Sequence, residues 1–265
     1  MEKYVLVTGA FGGMGKATIN LLAEKGYKVF ALDKNIETVE NANIIPIKAD
    51  LTDENSIQKV FEEIKNITTE LYAIIHFAGI YMLDSLVEME SKKFEKIFKI
   101  NVNGAYLINK IFMPLLKKGS RIIITTSELA VLDPLPFTGI YAITKSALDK
   151  YAYSLKMELQ LKDIKVSVLR AGAVATNMIG ASTDALDGFC NNTKLYAFSS
   201  AKFKKIVDRV EARKVEPIKL AKKAHKILSR KNPKFAYKLN RNPLLLLLNA
   251  LPQKFQFWVI KKILK

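Results

Sequence analysis

Short apolar runs rich in β-branched residues recur along the chain, with room for a helix between successive runs. Tyr4 to Thr8, Val29 to Leu32, Ile44 to Ile47, Ala73 to Phe77, Arg121 to Thr125 and Val166 to Leu169 read as strands, and Phe235 to Lys238 as a weaker last one. Polar residues do not alternate within these runs, which is the pattern of strands covered on both faces. The pattern predicts an α/β fold, a doubly wound, mostly parallel seven-stranded sheet with helices on both faces. After residue 176 it weakens into a polar, glycine-containing stretch, followed by a lysine-rich helical region to about Arg230. Pro243 and Pro252 bracket Leu244 to Leu251, and the tail runs from Phe255 to Leu264. We expect one domain over residues 1–240 and a basic helical extension over 241–265.

Charge changes the picture of that extension. Of 42 Lys and Arg and 25 Asp and Glu, residues 201–265 hold 19 and 3, so the formal net charge of +17 lies almost wholly in the last quarter of the chain. A nearly neutral body carrying a basic, apolar tail is expected to meet something anionic, and solvated lysines are the bland alternative. A composition that is 49% hydrophobic with 12 glycines and 8 prolines excludes disorder and collagen-like repetition. One cysteine, Cys190, makes no internal disulfide, and His76 and His225 lack metal-ligand spacing, so no metal site is expected. No apolar run approaches the roughly 20 residues that span a bilayer. The first residues contain no apolar segment of export-signal length, so a cytoplasmic location is expected and the sequons at Asn66 and Asn191 read as chance.

Thr8-Gly9-Ala10-Phe11-Gly12-Gly13-Met14-Gly15 follows the first strand and opens a helical pattern that Gly26 can stop. Glycines here let backbone N–H groups at a helix N-terminus approach a pyrophosphate. Asp33, 18 residues after Gly15, stands where an acid reaches the adenosine ribose. Alone, a glycine cluster is often only a turn, but the order strand, glycine turn, helix, acid makes a Rossmann-like cofactor cradle the better reading. Tyr141 and Lys145 lie four residues apart, on one face of a helix. There the ammonium can stabilise a phenolate, whose pKa near 10 must fall by roughly three units, about 4 kcal/mol, to work near neutrality.

The spacing T-G-x-x-x-G-x-G resembles the short-chain dehydrogenase/reductase family, and the resemblance continues to about residue 176. Asp50-Leu51 resembles the adenine-contacting Asp segment, and Ala78-Gly79 matches the end of an Asn-Asn-Ala-Gly turn whose first two positions are His76 and Phe77 here. Asn101 resembles the helix-kink Asn, and Tyr141-Ala-Ile-Thr-Lys145 is the Tyr-x-x-x-Lys signature. Gly172, Val174 and Thr176 fall in a segment resembling the one that holds the nicotinamide, with Ala171 in place of Pro. The resemblance implies a catalytic set of Tyr141, Lys145, Ser127 and Asn101, with Tyr141 as proton donor and acceptor, Ser127 orienting the oxygen and Asn101 relaying protons through water. Ser127 lies one residue further from Tyr141 than in the family, so an insertion is inferred within Leu132 to Pro136. Helix capping and strand-end roles remain the alternatives for Ser127, and backbone satisfaction at a bend for Asn101. A catalytic His76 has little support, because Tyr and Lys already fill the acid/base role.

These expectations describe an NAD(P)-dependent oxidoreductase acting on an alcohol or carbonyl of an apolar, lipid-like molecule such as a retinoid or steroid. Asp33 favours NAD over NADP because a carboxylate repels a 2′-phosphate, although Lys34 argues the other way. Residues 177–215 occupy the variable substrate-lid position, where Phe189, Leu195, Tyr196 and Phe198 either line the site or anchor the lid. The resemblance also implies a homodimer or homotetramer. Two alternatives stay open: a 3-oxoacyl reductase docking an acidic carrier protein, and a non-catalytic NAD(P)-sensing protein. No recognition motif supports nucleic-acid binding. The tail from Gln253 puts Phe255, Trp258, Val259 and Ile263 on one side of a helix, with Lys254, Lys261, Lys262 and Lys265 at its edges and back, so it is expected either to lie on an anionic membrane or to pack on the protein.

Overall fold

The computed structural model describes residues 2–210 and 214–265. Seven strands, β1 (Tyr4–Thr8), β2 (Lys28–Asp33), β3 (Ile44–Lys48), β4 (Leu71–His76), β5 (Leu116–Ser127), β6 (Lys165–Ala171) and β7 (Ala236–Leu239), form one sheet in the order β3-β2-β1-β4-β5-β6-β7. Every pairing is parallel. Ten α-helices among the described residues surround it: α1 (Gly13–Glu24), α2 (Glu54–Ile67), α3 (Ser91–Phe98), α4 (Gly104–Phe112), α5 (Gly139–Leu159), α6 (Asn177–Asn192), α7 (Ala197–Val210), α8 (Pro217–Leu228), α9 (Pro243–Asn249) and α10 (Gln253–Leu264).

The two-sided apolar strands are what parallel pairing demands, because crossover helices cover both faces. Ile74 and Ile75 are neighbours that point to opposite sides of β4, and both are wholly buried. Ile74 packs in a core with Ile57, Ile64, Ile108 and Leu148 from α2, α4 and α5, whereas Ile75 packs with Ile19, Leu22, Leu220 and Ile227 from α1 and α8. Each such side chain contributes roughly 1.5–3 kcal/mol on burial. A third cluster, Leu83, Leu186, Phe189, Phe203 and Leu264, lies away from the sheet beneath α6, α7 and α10.

The strand order reverses between β1 and β4, which opens a crevice beyond the strand C-termini. Lys99–Asn103 form one π-helical turn between α3 and α4 and carry Asn101 inward, a bend of the kind frequent at functional sites. The polar, glycine-containing stretch after residue 176 holds α6, and the lysine-rich region that follows is helical as α7 and α8. Within the expected lid, residues 211–213 lie outside the described residues. The basic extension is helical, as α9 and α10. No described helix is long and apolar enough to cross a membrane.

Candidate active site

The glycine turn is shaped by close backbone approach. Gly9 has φ +67°, and a Cβ there would lie 2.5 Å from Ala78 N, so the turn after β1 and the Ala78-Gly79 turn after β4 are pressed together. A Cβ on Gly13 would meet Thr176 at 2.7 Å, which brings the segment after β6 to the same helix end. Gly12 is the N-cap of α1 and supplies no side-chain cap, and the first turn contains no acid. The amides of Gly13, Met14 and Gly15 are therefore left for an anionic group, as a dinucleotide pyrophosphate requires.

Thr8 ends β1 fully buried, and its hydroxyl faces His76 Nδ1 at 3.5 Å. At the end of β2, Asp33 accepts from Phe11 N at 3.0 Å and Asn35 N at 3.3 Å, so it braces the glycine turn from the side where the adenosine ribose would lie. Asp50 accepts from Lys34 Nζ at 2.9 Å and from Thr52, and these bonds hold its carboxyl down at about 2. The neighbouring Leu51 packs against the core and the Gly104 end of α4. Val174 is buried and bridges to Val215, while Gly172 lies so close to the Asn240 carbonyl that no Cβ fits.

At the crevice, Ser127 closes β5 and Tyr141 and Lys145 project from the first turns of α5. Ser127 Oγ accepts from Leu129 N at 3.2 Å, which leaves its own proton free to turn toward the neighbouring Tyr141 hydroxyl, whose pKa it lowers. Ser127 and Tyr141 line the same cavity. In the loop between them Phe137 takes φ 68°, held by ring contacts to Phe189, Tyr196 and Phe203. Buried Lys145 donates to the Thr125 carbonyl at 3.4 Å, and its Nζ lies 5.6 Å from the Tyr141 ring centre. Asn101 accepts from Ile80 N at 2.8 Å and donates to the Ile80 carbonyl and Thr144 Oγ1. A Cβ on Gly79 would stand 3.2 Å from Asn101 Oδ1 and 3.3 Å from Lys145 Nζ, so both side chains flank that glycine.

The electrostatics differ from the expected lowering of the Tyr141 pKa. Burial pushes the phenol up, the neighbouring Tyr81 adds to this, and only the nearby Ser127 hydroxyl pulls it down. Burial also pushes Lys145 down to about 8. In the protein alone, burial moves both groups toward their neutral forms, yet at about 8 the Lys145 amine is still largely protonated at pH 7.

A cavity of about 230 Å³ is lined by Tyr141, Lys145, Ser127, Met14, Thr176 and Gly172 among others. Asp33, Asp50 and Leu51 stand outside it, at the ends of β2 and β3. The sequence reading missed Tyr81, whose ring lies 4.9 Å from that of Tyr141, and Glu128, whose buried carboxylate accepts from Asn242 N at 2.7 Å. Neither sits in a motif. Thr125 Oγ1 also lines the cavity, buried and without a hydrogen-bond partner, an orphan that a bound polar group would satisfy. The open helix end, the backbone cradle and this orphan fit a nicotinamide dinucleotide lying from α1 to Tyr141.

Fold and cradle define a doubly wound nucleotide-binding protein. The chain belongs to the short chain dehydrogenase family, whose sequence profile matches residues 3–187. It is 28% identical over 193 residues to NADPH-dependent 1-acyldihydroxyacetone phosphate reductase of Schizosaccharomyces pombe, covering 69% of this chain and 65% of that protein. It is 27% identical to 3-ketodihydrosphingosine reductase of Bacteroides thetaiotaomicron, covering 89% of this chain and 87% of that one. Against three curated relatives the chain spans 51–65% of their length. A short chain dehydrogenase family protein of Francisella tularensis superposes with a TM-score of 0.74 at 26% identity, covering 90% of this chain and 96% of that one.

Proposed function

We propose that the protein is an NAD(P)-dependent oxidoreductase that interconverts a carbonyl and an alcohol in an apolar, lipid-like molecule. The observation that carries this reading is the meeting of Ser127, Tyr141 and Lys145 in the wall of one cavity whose other walls are largely apolar. A dinucleotide bound in the cradle supplies or accepts the hydride. Tyr141 gives its phenolic proton to the carbonyl oxygen as that oxygen becomes a hydroxyl, and takes it back in the reverse direction. Ser127 hydrogen-bonds the same oxygen and fixes its approach. Lys145 favours the phenolate that Tyr141 leaves behind, and Asn101 holds the Ile80 backbone and the Gly79 turn against the lysine.

NAD is the preferred cofactor in this reading. Asp33 faces the glycine turn, and the nearby cations Lys16 and Lys34 are already paired with Glu37 and Asp50. The two relatives named above carry names of lipid-related reductases, which supports the substrate class, and one is NADPH-dependent by name, which argues against NAD. Exposed Tyr106, Ile143, Tyr153 and Met157 on α4 and α5 offer an apolar face for a homodimer or homotetramer. The deciding experiment follows nicotinamide absorbance with both cofactors against a panel of alcohols and ketones. Turnover of apolar ketones with higher kcat/KM for NADH is expected, a clear NADPH preference overturns the cofactor assignment, and saturable cofactor binding without turnover supports the sensing alternative.

A further inference from the structure

A second cavity, of about 280 Å³, lies against α9 and α10. Leu135, Phe203, Ile206, Asn242 and Leu245 line both this cavity and the one containing Tyr141, so the two meet along a shared wall. Beyond that wall the lining is Leu248, Leu251, Val259, Ile260 and Ile263, with Leu244 and Leu247 at the surface. Asn242, on the shared wall, is the one polar residue of the lining. Its N–H goes to Glu128, and its Oδ1 caps α9 by accepting from Leu244 N and Leu245 N. The Glu128 bond ties the start of α9 to the residue after Ser127, so the groove is anchored to the end of β5 that serves the chemistry.

We propose that this groove is the binding site for the single aliphatic chain of the substrate, whose carbonyl lies at Tyr141. The inference rests on the carbonyl/alcohol reading and names which part of the molecule the C-terminal helices recognise. Polarity falls along the path: Ser127, Thr125, Lys145 and Tyr141 line the near end, Asn242 stands on the shared wall, and only apolar residues line the far end. A dry groove of this kind offers a chain nothing but dispersion and release from water, so it takes methylenes and rejects hydroxylated or charged extensions, whose desolvation nothing repays. Continuity with the catalytic cavity argues for substrate as the occupant over a partner helix or a second copy, neither of which would need to reach Tyr141. The two cavities together fall in the range of roughly 300–1,000 Å³ of ligand sites. Exposed Leu244 and Leu247, each 64% accessible, form the open side through which a chain enters.

Straight-chain 2-alkanones of increasing length, each below its aggregation concentration, test this on the full chain. Along the lengths that reach the groove, kcat/KM is expected to rise about three- to fourfold per methylene, the equivalent of roughly 0.8 kcal/mol per buried CH₂, and then to level off. In the Leu248→Phe/Val259→Phe variant the added rings fill the far end, and the ratio of kcat/KM for the longest to the shortest ketone should fall at least tenfold. Trp258, the one tryptophan of the chain, adjoins the groove residue Val259 and gives a readout that needs no turnover. Its fluorescence should respond saturably to 1-decanol and not to 1-butanol. A flat length series, a rising series unchanged in the variant, or no saturable decanol response overturns the inference while leaving ketone reduction intact. Failure of every ketone to turn over, with the decanol response present, overturns the carbonyl/alcohol reading alone.

Discussion

Half-buried Tyr141 and buried His76 are both titratable, yet only Tyr141 lines the cavity. Tyr141→Phe removes one hydroxyl from the cavity wall beside Ser127, so stability should change by no more than about 1 kcal/mol while turnover falls by at least about 10². Steady-state kinetics with a ketone from the panel, beside a thermal unfolding curve, checks both halves. His76 instead completes a chain across the sheet. With the proton assigned to Nε2, it donates to Asn109 Oδ1 at 3.0 Å and accepts from Thr8, and Asn109 Nδ2 donates to Tyr151. Burial lowers its pKa from 6.5 to about 4. Between those values the unfolded chain binds a proton that the folded chain refuses, so the contribution to stability is intact above pH 6.5 and is lost as pH falls toward 4. Urea unfolding should therefore show a loss of about 2 kcal/mol from this group between pH 7 and pH 5. The loss should disappear in His76→Gln, and an unchanged pH dependence in that variant would show that other groups set it.

Element by element, α5 matters most to the site because it carries Tyr141 and Lys145, and its position is set by an ion pair to β6. Asp149 on α5 accepts from Arg170 Nε at 2.9 Å and Nη2 at 2.7 Å, and from Thr126 at the end of β5. Removing the carboxylate in Asp149→Ala strands a largely buried guanidinium, so a cost of about 3 kcal/mol is expected in denaturant unfolding. A change under about 0.5 kcal/mol would mean that packing alone holds the helix. The strands were legible because two-sided burial writes itself as uninterrupted β-branched runs. β1 covers the residues predicted for it, and β5 runs longer, from Leu116 to Ser127. The glycine turn and the Tyr141–Lys145 pair were legible because each requires fixed spacing. α6 was not, since its apolar residues Leu186 and Phe189 meet Phe203 of α7 only through the third cluster, and local composition shows just polarity and glycine. Tyr81 and Glu128 reach the site through tertiary contact, so nothing near them in sequence marks them.

For the whole molecule, the uneven charge and the outer face of α9 and α10 belong to one argument. The inner face of the pair lines the apolar groove, with Leu244, Leu247 and Ile263 at its rim, whereas Phe255, Phe257 and Trp258 are exposed outside it. Packing on the protein therefore accounts for Leu245 and Leu264, both buried, but not for these. Phe255 and Trp258 stack at 5.3 Å, and Lys262 sits over the indole at 5.3 Å, so apolar and cationic groups share one surface. Lys254, Lys261, Lys262 and Lys265 are all exposed beside it. Each lysine near an anionic surface contributes about 1 kcal/mol, and that contribution is screened within a Debye length of about 10 Å at 0.1 M salt. We propose that the full chain attaches peripherally to anionic membranes through this face, which would also set the open side of the groove against a source of lipid. Co-sedimentation should show binding to phosphatidylserine-containing vesicles that weakens steeply with salt and is small for phosphatidylcholine alone. Phe257→Ala/Trp258→Ala should weaken binding further at fixed salt without loss of ketone turnover. Failure to bind anionic vesicles at low salt, or equally salt-sensitive retention on plain DNA, would leave the tail as a substrate groove with a basic rim and no membrane role.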